Sequence, residues 1–420
     1  MMLRLEENIV EDNSIFSCED FPFNPISGTQ YNAAGVIQIN IENQAEYFLP
    51  HQSWLQVDGE LLKADGTRYD ANDNATLTNN GILYCFSNIK YQLSGNEIES
   101  VNDPGHASTI MGLLKYESTY TGLNQCWAID KTTGVDNNNT GFHKRKGLIF
   151  SANPTGSFSF AIDLQDIFGF AEDYDKVVYG LRHTLQFNRT PSDNNAIFRA
   201  GAPVVAGKVK IDKITWWVPR VTPSPVESFR LTKMLEKNAT LQVGFRGRQC
   251  AKLTIPAVTS YTWNLGVKTE KPRFLIIGFQ TAKDDNQETN VALFDHCYIS
   301  KLKVILNSAE YPAIDVLSNF TRNEYAGYYK RMADFKRLFY GIEKSVSSCA
   351  IDADDYKSMY PLYVLDVSHQ VEKLKSSIVD VSVKMDFGRA VPQATNAFAL
   401  IISDKKLQFK SDGKNMSVVF

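Results

Sequence analysis

The chain has 420 residues, a formal net charge of −3 and a pI near 6.1. That length exceeds one typical domain and fits two of about 200 residues each. The charge lacks the basic excess of proteins that neutralise many phosphates, so direct nucleic-acid binding is not expected. No apolar run approaches the roughly 18 residues that span a bilayer, which excludes a membrane-spanning helix.

In chain order, the opening MMLRLEENIVEDN has no apolar stretch after Arg4, so no secretory signal is expected. Residues 1–20 set Glu6, Glu7, Glu11, Asp12, Glu19 and Asp20 against Arg4 alone, with Leu3, Leu5, Ile9, Val10, Ile15 and Phe16 interspersed. This predicts an arm that buries its apolar side chains outside any core of its own. Residues 35–41 alternate apolar and polar with the period of a strand. Trp54 to Leu61 does so loosely and leads to Asp65-Gly66, a hairpin signal. Further strands are predicted at 82–93, 147–150, 157–163, 178–188, 204–217, 239–246, 250–256, 272–281, 297–306, 360–366, 378–387, 396–403 and 416–420.

Helices are few. Asp103-Pro104 opens one to about Lys115, with Asp as the cap and Pro at the first position. Residues 323–340 carry Tyr325, Tyr328, Met332, Phe335 and Phe339 on one face, stopped by Gly341; this predicts a helix packed on a sheet. Ser368 is placed to cap a short helix through Lys375. Segments 65–80 and 130–146 are rich in Asn, Asp, Thr and Gly and are expected to be exposed loops at one end of the first domain. Lys144-Arg145-Lys146 within the second reads as solvated surface. Three prolines in Val218-Pro219-Arg220-Val221-Thr222-Pro223-Ser224-Pro225 should stop a strand and form an extended linker.

A weak internal repeat joins the halves. Residues 160–164 (FAIDL) reappear as 363–367 (YVLDV), the strand Tyr179 to Phe187 as Val379 to Phe387, and residues 195–198 (NAIF) as 396–399 (NAFA). The displacement is roughly 200 residues each time and the order is kept. The expected division is an arm at 1–20, a first domain at 21–218, a linker at 219–225 and a second domain at 226–420. With the turn-separated strands this predicts an all-β fold of two similar sandwiches.

Signatures of catalysis are missing: the sequence has no GxSxG, P-loop, GxGxxG after a strand, HExxH or CxxC. Cys18, Cys85, Cys126, Cys250, Cys297 and Cys349 are scattered as reduced thiols would be inside a cell. The sequons at Asn74, Asn138, Asn188, Asn238, Asn319 and Asn415 are therefore expected to be unused. His51, His106, His143, His183, His296 and His369 lack metal-ligand spacing. Asp295-His296 and Ser368-His369 read as structural. Asp163 and Asp366 hold matching places in the repeat, where each would cap the following turn or helix. One ring of Trp216-Trp217 is expected in the first core and the other between the halves. No catalytic, cofactor or metal residue is assigned.

Several blocks resemble the double jelly-roll major capsid proteins of Polinton (Maverick) elements, adintoviruses and virophage-like viruses. They are residues 157–189 (SFSFAIDLQDIFGFAEDYDKVVYGLRHTLQFNR) with Asn194-Asn195-Ala196, residues 216–221 (WWVPRV), residues 272–280 (PRFLIIGFQ), Phe294-Asp295-His296, residues 304–312 (VILNSAEYP) and residues 360–368 (YPLYVLDVS). The resemblance spans about 157–368 and implies two tandem eight-stranded jelly rolls with a few short helices. It implies a homotrimeric, hexon-like capsomer in a virion capsid, built by self-association inside the host cell, with penton and minor capsid proteins as partners and no cofactor. The arm would then lie along a neighbouring subunit or under the capsomer. The competing readings are a carbohydrate-binding tandem jelly roll, which needs aromatics in an exposed groove, and a jelly-roll enzyme with a carboxylate pair or a histidine cluster.

Overall fold

Alternating burial carries the strands. In Trp54–Lys63 half-buried and buried side chains take strict turns up to Leu61, so one face of the strand meets a core. The computed structural model describes residues 13–26, 31–117, 119–267, 269–343, 349–369, 378–413 and 416–420. Among these the strands form six sheets, three within residues 15–223 and three within 240–419.

In the first half one sheet orders Ser157–Asp163, Trp54–Lys63, Gly207–Pro223, Tyr47–Phe48 and Val178–Tyr179, and Ile15–Phe23 also pairs with Gly207–Pro223. The opposing sheet orders Gly35–Ile41, His183–Arg189, Phe86–Leu93 and Asn96–Asn102. Trp216 of the first sheet packs against Tyr91 and His183 of the second, which joins the two layers into one core. The second half repeats this order. One sheet runs Tyr363–Asp366, Pro272–Thr281, Thr395–Ser411, Thr240–Ile255, and its partner Ser260–Asn264, Val381–Phe387, Ile299–Leu306, Ala309–Tyr311. Each half is a jelly roll, and the chain is a double jelly roll. Two-stranded sheets, Ala75–Leu77 with Ile197–Arg199 and Thr269–Glu270 with Ile378–Val379, lie beside them.

Two of the three repeat correspondences coincide with this topology. Ser157–Asp163 and Tyr363–Asp366 are matching edge strands, and His183–Arg189 matches Val381–Phe387. The third does not. Asn195 to Phe198 reaches only the short strand Ile197–Arg199, whereas Asn396 to Ala399 lies in the central strand Thr395–Ser411, whose counterpart by position is Gly207–Pro223. The shared residue types reflect burial in a sheet, not an equivalent place in it.

The helices are α1 (Pro104–Lys115), α2 (Thr140–Phe150), α3 (Leu164–Ile167), α4 (Gly169–Asp173), α5 (Pro225–Glu236), α6 (Ala326–Tyr340) and α7 (Ala353–Ser358). α1 starts at Pro104 as expected, although Asp103 takes a left-handed conformation and makes no side-chain cap. α6 packs Tyr328, Met332, Phe335 and Phe339 inward, with Tyr328 against Tyr363 and Phe335 against Phe274, both 5.2 Å between ring centres, and Gly341 in left-handed conformation ends it. No helix among the described residues is long and apolar enough to cross a membrane.

Several expectations need correction. Residues 147–150 belong to helix α2, not to a strand; Asn139 caps it by accepting from Phe142 N at 3.2 Å. A side chain at Gly141 would sit 2.1 Å from the Ile129 carbonyl, so the close packing of α2 requires glycine there. Each polar segment is an exposed loop only in part, over residues 65–72 apart from Tyr69 and over 131–138. Ala75–Leu77 is a buried strand and Thr78, Asn79 and Asn80 are buried, while Arg145 lies inside with Asp130, Nη2 to Oδ1 2.8 Å. Charge pairing buries what composition alone sends to the surface. Nor do the prolines make a linker: Gly207–Pro223 is one strand, and the Pro219 carbonyl accepts from Leu49 N at 3.0 Å. A proline is tolerated there because only its absent N–H would be lost. Ser224 then caps α5, with Pro225 in its first turn. Of the expected arm, Ile15–Phe23 is a strand paired with Trp216 to Pro223, and residues 1–12 lie outside the described residues. So do residues 370–377, which hold most of the helix expected after Ser368.

The cores bury neutral imidazoles. Burial pushes His183 and His106 down to about 3, with Lys252 adding to the effect at His106. An unfolded histidine takes up its proton near pH 6.5, so these groups leave stability intact above that pH and remove it as pH falls towards 3. Urea denaturation at pH 7 and pH 4.5 should show a loss on the order of 2 kcal/mol for each of the two, and His183→Gln should flatten the slope.

Candidate functional site

The residues singled out by sequence are held by separate structural partners. Asp366 Oδ1 accepts from Ser368 N at 2.9 Å and from Ser368 Oγ at 2.6 Å, the turn expected of it. Asp163 makes no such cap; its carboxylate accepts from Gln125 Nε2 at 3.2 Å. Asp295 accepts from Thr281 N and pairs with Lys283 at 2.7 Å, and His296 stacks on Phe320 with ring centres 4.4 Å apart. Burial pushes His296 down to about 4 and Cys297 up to about 12, so neither a charged imidazole nor a thiolate stands there at neutral pH. The six cysteines are free thiols. Trp216 fills the first core, but Trp217 does not reach the second half. It stacks on Trp54 at 5.5 Å and donates Nε1–H to Gln56 at 3.0 Å, because its neighbour on the adjoining strand is Trp54. Among the described residues, no group of three or more His, Cys, Asp or Glu is placed to hold a metal.

The polar chemistry concentrates instead where the two rolls meet. Glu99, on the strand Asn96–Asn102, is fully buried. Its carboxylate accepts from Gly169 N at 3.1 Å and Phe170 N at 2.9 Å, and from Arg248 N of the second roll at 2.7 Å. Burial pushes its pKa up against these bonds. The Arg248 side chain crosses back, donating to the Gln165 and Asp166 carbonyls at 3.1 and 2.9 Å and to the Glu172 carboxylate. Arg246 grips Asp173 through Nε at 2.9 Å and Nη2 at 2.5 Å. Tyr340 of α6 donates to Glu172 at 2.7 Å, and Lys115 of α1 pairs with Asp166 and Glu172 at 3.0 and 3.4 Å. Burial raises the Glu172 carboxyl, but Arg248 and Lys115 outweigh it and hold the group below the ordinary range. At the centre a Cβ on Gly169 would lie 1.7 Å from the Arg246 carbonyl oxygen, so the backbones of the two rolls touch.

Three further contacts flank this cluster. Gln287 of the second roll accepts from Gly207 N and donates to the Gly207 carbonyl, both at 2.8 Å. Tyr360 donates to the Asp130 carbonyl at 2.7 Å, beside the buried Arg145 pair. His106 stacks on Phe398 with ring centres 3.9 Å apart. The sequence reading missed Glu99, Arg246, Arg248 and Gln287. One signal was available: Arg246 and Arg248, two apart in the strand Thr240–Ile255, share a face with the buried Cys250, and an arginine on an inward face needs a partner.

The sequence matches the double jelly roll-like domain family over residues 75–407, more than half of the chain. The chain belongs to that family. No curated protein matches it in sequence. Solved structures agree on the fold of this double jelly roll protein at low identity. PBCV-1 Vp54, fitted into a reconstruction of the virophage Sputnik, superposes with a TM-score of 0.58 at 9% identity and 99% of each chain covered. The Faustovirus major capsid protein gives 0.56 at 9% identity, covering 97% of this chain and 92% of its own. The mavirus major capsid protein gives 0.54 at 11% identity, covering 98% and 92%.

Gly169→Ala should force the rolls apart and cost about 3 kcal/mol, since backbone rather than a flexible side chain meets the added carbon. Arg248→Met should cost about 3–5 kcal/mol by removing the buried guanidinium that faces Glu99 and pairs with Glu172. Chemical denaturation of each variant measures both, with Lys144→Met on the exposed face of α2 as the neutral control.

Proposed function

We propose that this protein is a major capsid protein that forms pseudohexagonal homotrimeric capsomers of an icosahedral shell, acting by self-association without catalysis. The observation that carries this reading is the pair of jelly rolls with the same strand order, held side by side by a buried polar junction. Three such chains place six near-equivalent lobes around one axis, a shape that tiles with sixfold neighbours. The likeness in fold to the mavirus and Faustovirus major capsid proteins supports it, and the near-neutral charge suits dense packing of copies. On this reading the protein resides in the virion capsid after assembly in the host cell, with penton and minor capsid proteins as partners. On this reading the rolls divide at α5, the first about 15–223 and the second about 240–420.

Light scattering on the purified chain tests the proposal. It predicts a species of three chains at micromolar concentration, with interfaces burying well over about 1,000 Å² per pair. A strictly monomeric species at high concentration, with no particles under any salt or pH, would contradict it.

A further inference from the structure

α5 is anomalous. It has twelve residues and buries no side chain. Val226 is 81% exposed and Phe229 62% exposed, with Lys233 Nζ 4.2 Å from the Phe229 ring centre. Arg230, Lys233 and Lys237 are exposed as well. A helix this short is marginal in water without tertiary cover, and the described residues cover it only in part, at Leu231, Met234 and Leu235. Beside it lies a second uncovered element. Ser224 N, at the start of α5, donates to Ser14 O at 2.8 Å, and Ile15–Phe23 follows from there. In that strand Phe16 is 77% exposed, and Ile15, Glu19 and Asp20 are exposed too. α5 pairs Arg230 with Glu227 and leaves Lys233 and Lys237 beside its apolar side chains, its neighbour strand is apolar and acidic, and the two adjoin at Ser14 and Ser224.

We propose that α5 is the docking site for the strand Ile15–Phe23 of a second copy of this chain, with Phe16 and Ile15 covering Val226 and Phe229, and Asp20, on the same face of the strand as Ile15, facing Lys233 and Lys237. The inference rests on the self-association reading and deepens it by naming the surfaces. The two surfaces differ, so the contact is head-to-tail, the kind that closes into a ring when its rotation allows. Apolar matching supplies the cover that α5 lacks, and the opposite charges set which element meets which.

The test uses the full chain and two variants on different elements, Phe229→Asp and Phe16→Asp, followed by sedimentation and far-UV melting. Each variant should keep the melting of an isolated chain and need at least about tenfold more protein to assemble, equivalent to 1.4 kcal/mol or more. Mixed together, they should form dimers and stop, because one intact helix and one intact strand remain per pair. Lys233→Glu should weaken assembly, and adding Asp20→Lys should restore it. Variants that assemble as well as the parent chain would overturn the contact while leaving self-association standing. A parent chain that never associates would overturn both. Ile314→Asp, on an exposed loop of the second roll, should leave assembly unchanged, and an equal loss there would also overturn the assignment.

Discussion

A single buried carboxylate, Glu99, is solvated by backbone amides from both rolls, and the arrangement of the molecule depends on it. Its partners Gly169 and Phe170 belong to α4 of the first roll, and Arg248 belongs to a strand of the second. Around it the chain brings Arg246, Arg248, Lys115, Asp166, Glu172 and Asp173 into one cluster with each charge paired. A buried ion cluster of this kind contributes little to net stability compared with an apolar interface of equal size, but it is costly to rearrange. Two rolls joined by grease could slide. Two rolls joined by directional bonds, with backbone touching backbone at Gly169, have one relative orientation.

Orientation matters because the proposed role is geometric. A shell protein that tiles must present its lobes at fixed angles, and every copy must do so alike. The contacts flanking the cluster serve the same end in both directions. Gln287 reaches from the second roll into the first, while Asp130 and Lys131 of the first roll engage Tyr360 and Asp355 of the second. Asp130 and Lys131 come from one of the segments that composition marked as surface loops. Those two residues are spent inside the subunit, whereas the end bearing α5 and Ile15–Phe23 is a surface rich in uncovered apolar groups.

The fold was largely legible because burial writes itself into alternation. Gly35–Ile41, Ser157–Asp163 and Pro272–Thr281 run where the residue pattern puts them, and α6 follows from its aromatic stripe and Gly341. What failed to show were features decided by distant partners. Helix α2 contains Gly141 and Gly147 and carries Lys144-Arg145-Lys146, all signals of a loop, yet Arg145 finds Asp130 and the Leu77 and Ala128 carbonyls inside. The strand through Pro219 survives because a neighbour needs only its carbonyl. The polar junction was invisible for the same reason: Glu99 in NEIESVN looks like any strand glutamate until α4 is seen to aim two amides at it.

Class averages of the purified assembly by electron cryo-microscopy test the central claim most directly, because they show shape and symmetry together. The account predicts a threefold particle with six lobes of nearly equal size, two from each chain at a constant angle. Averages of lone two-lobed molecules, or of rings in which the two lobes of a chain vary in their angle, would contradict it.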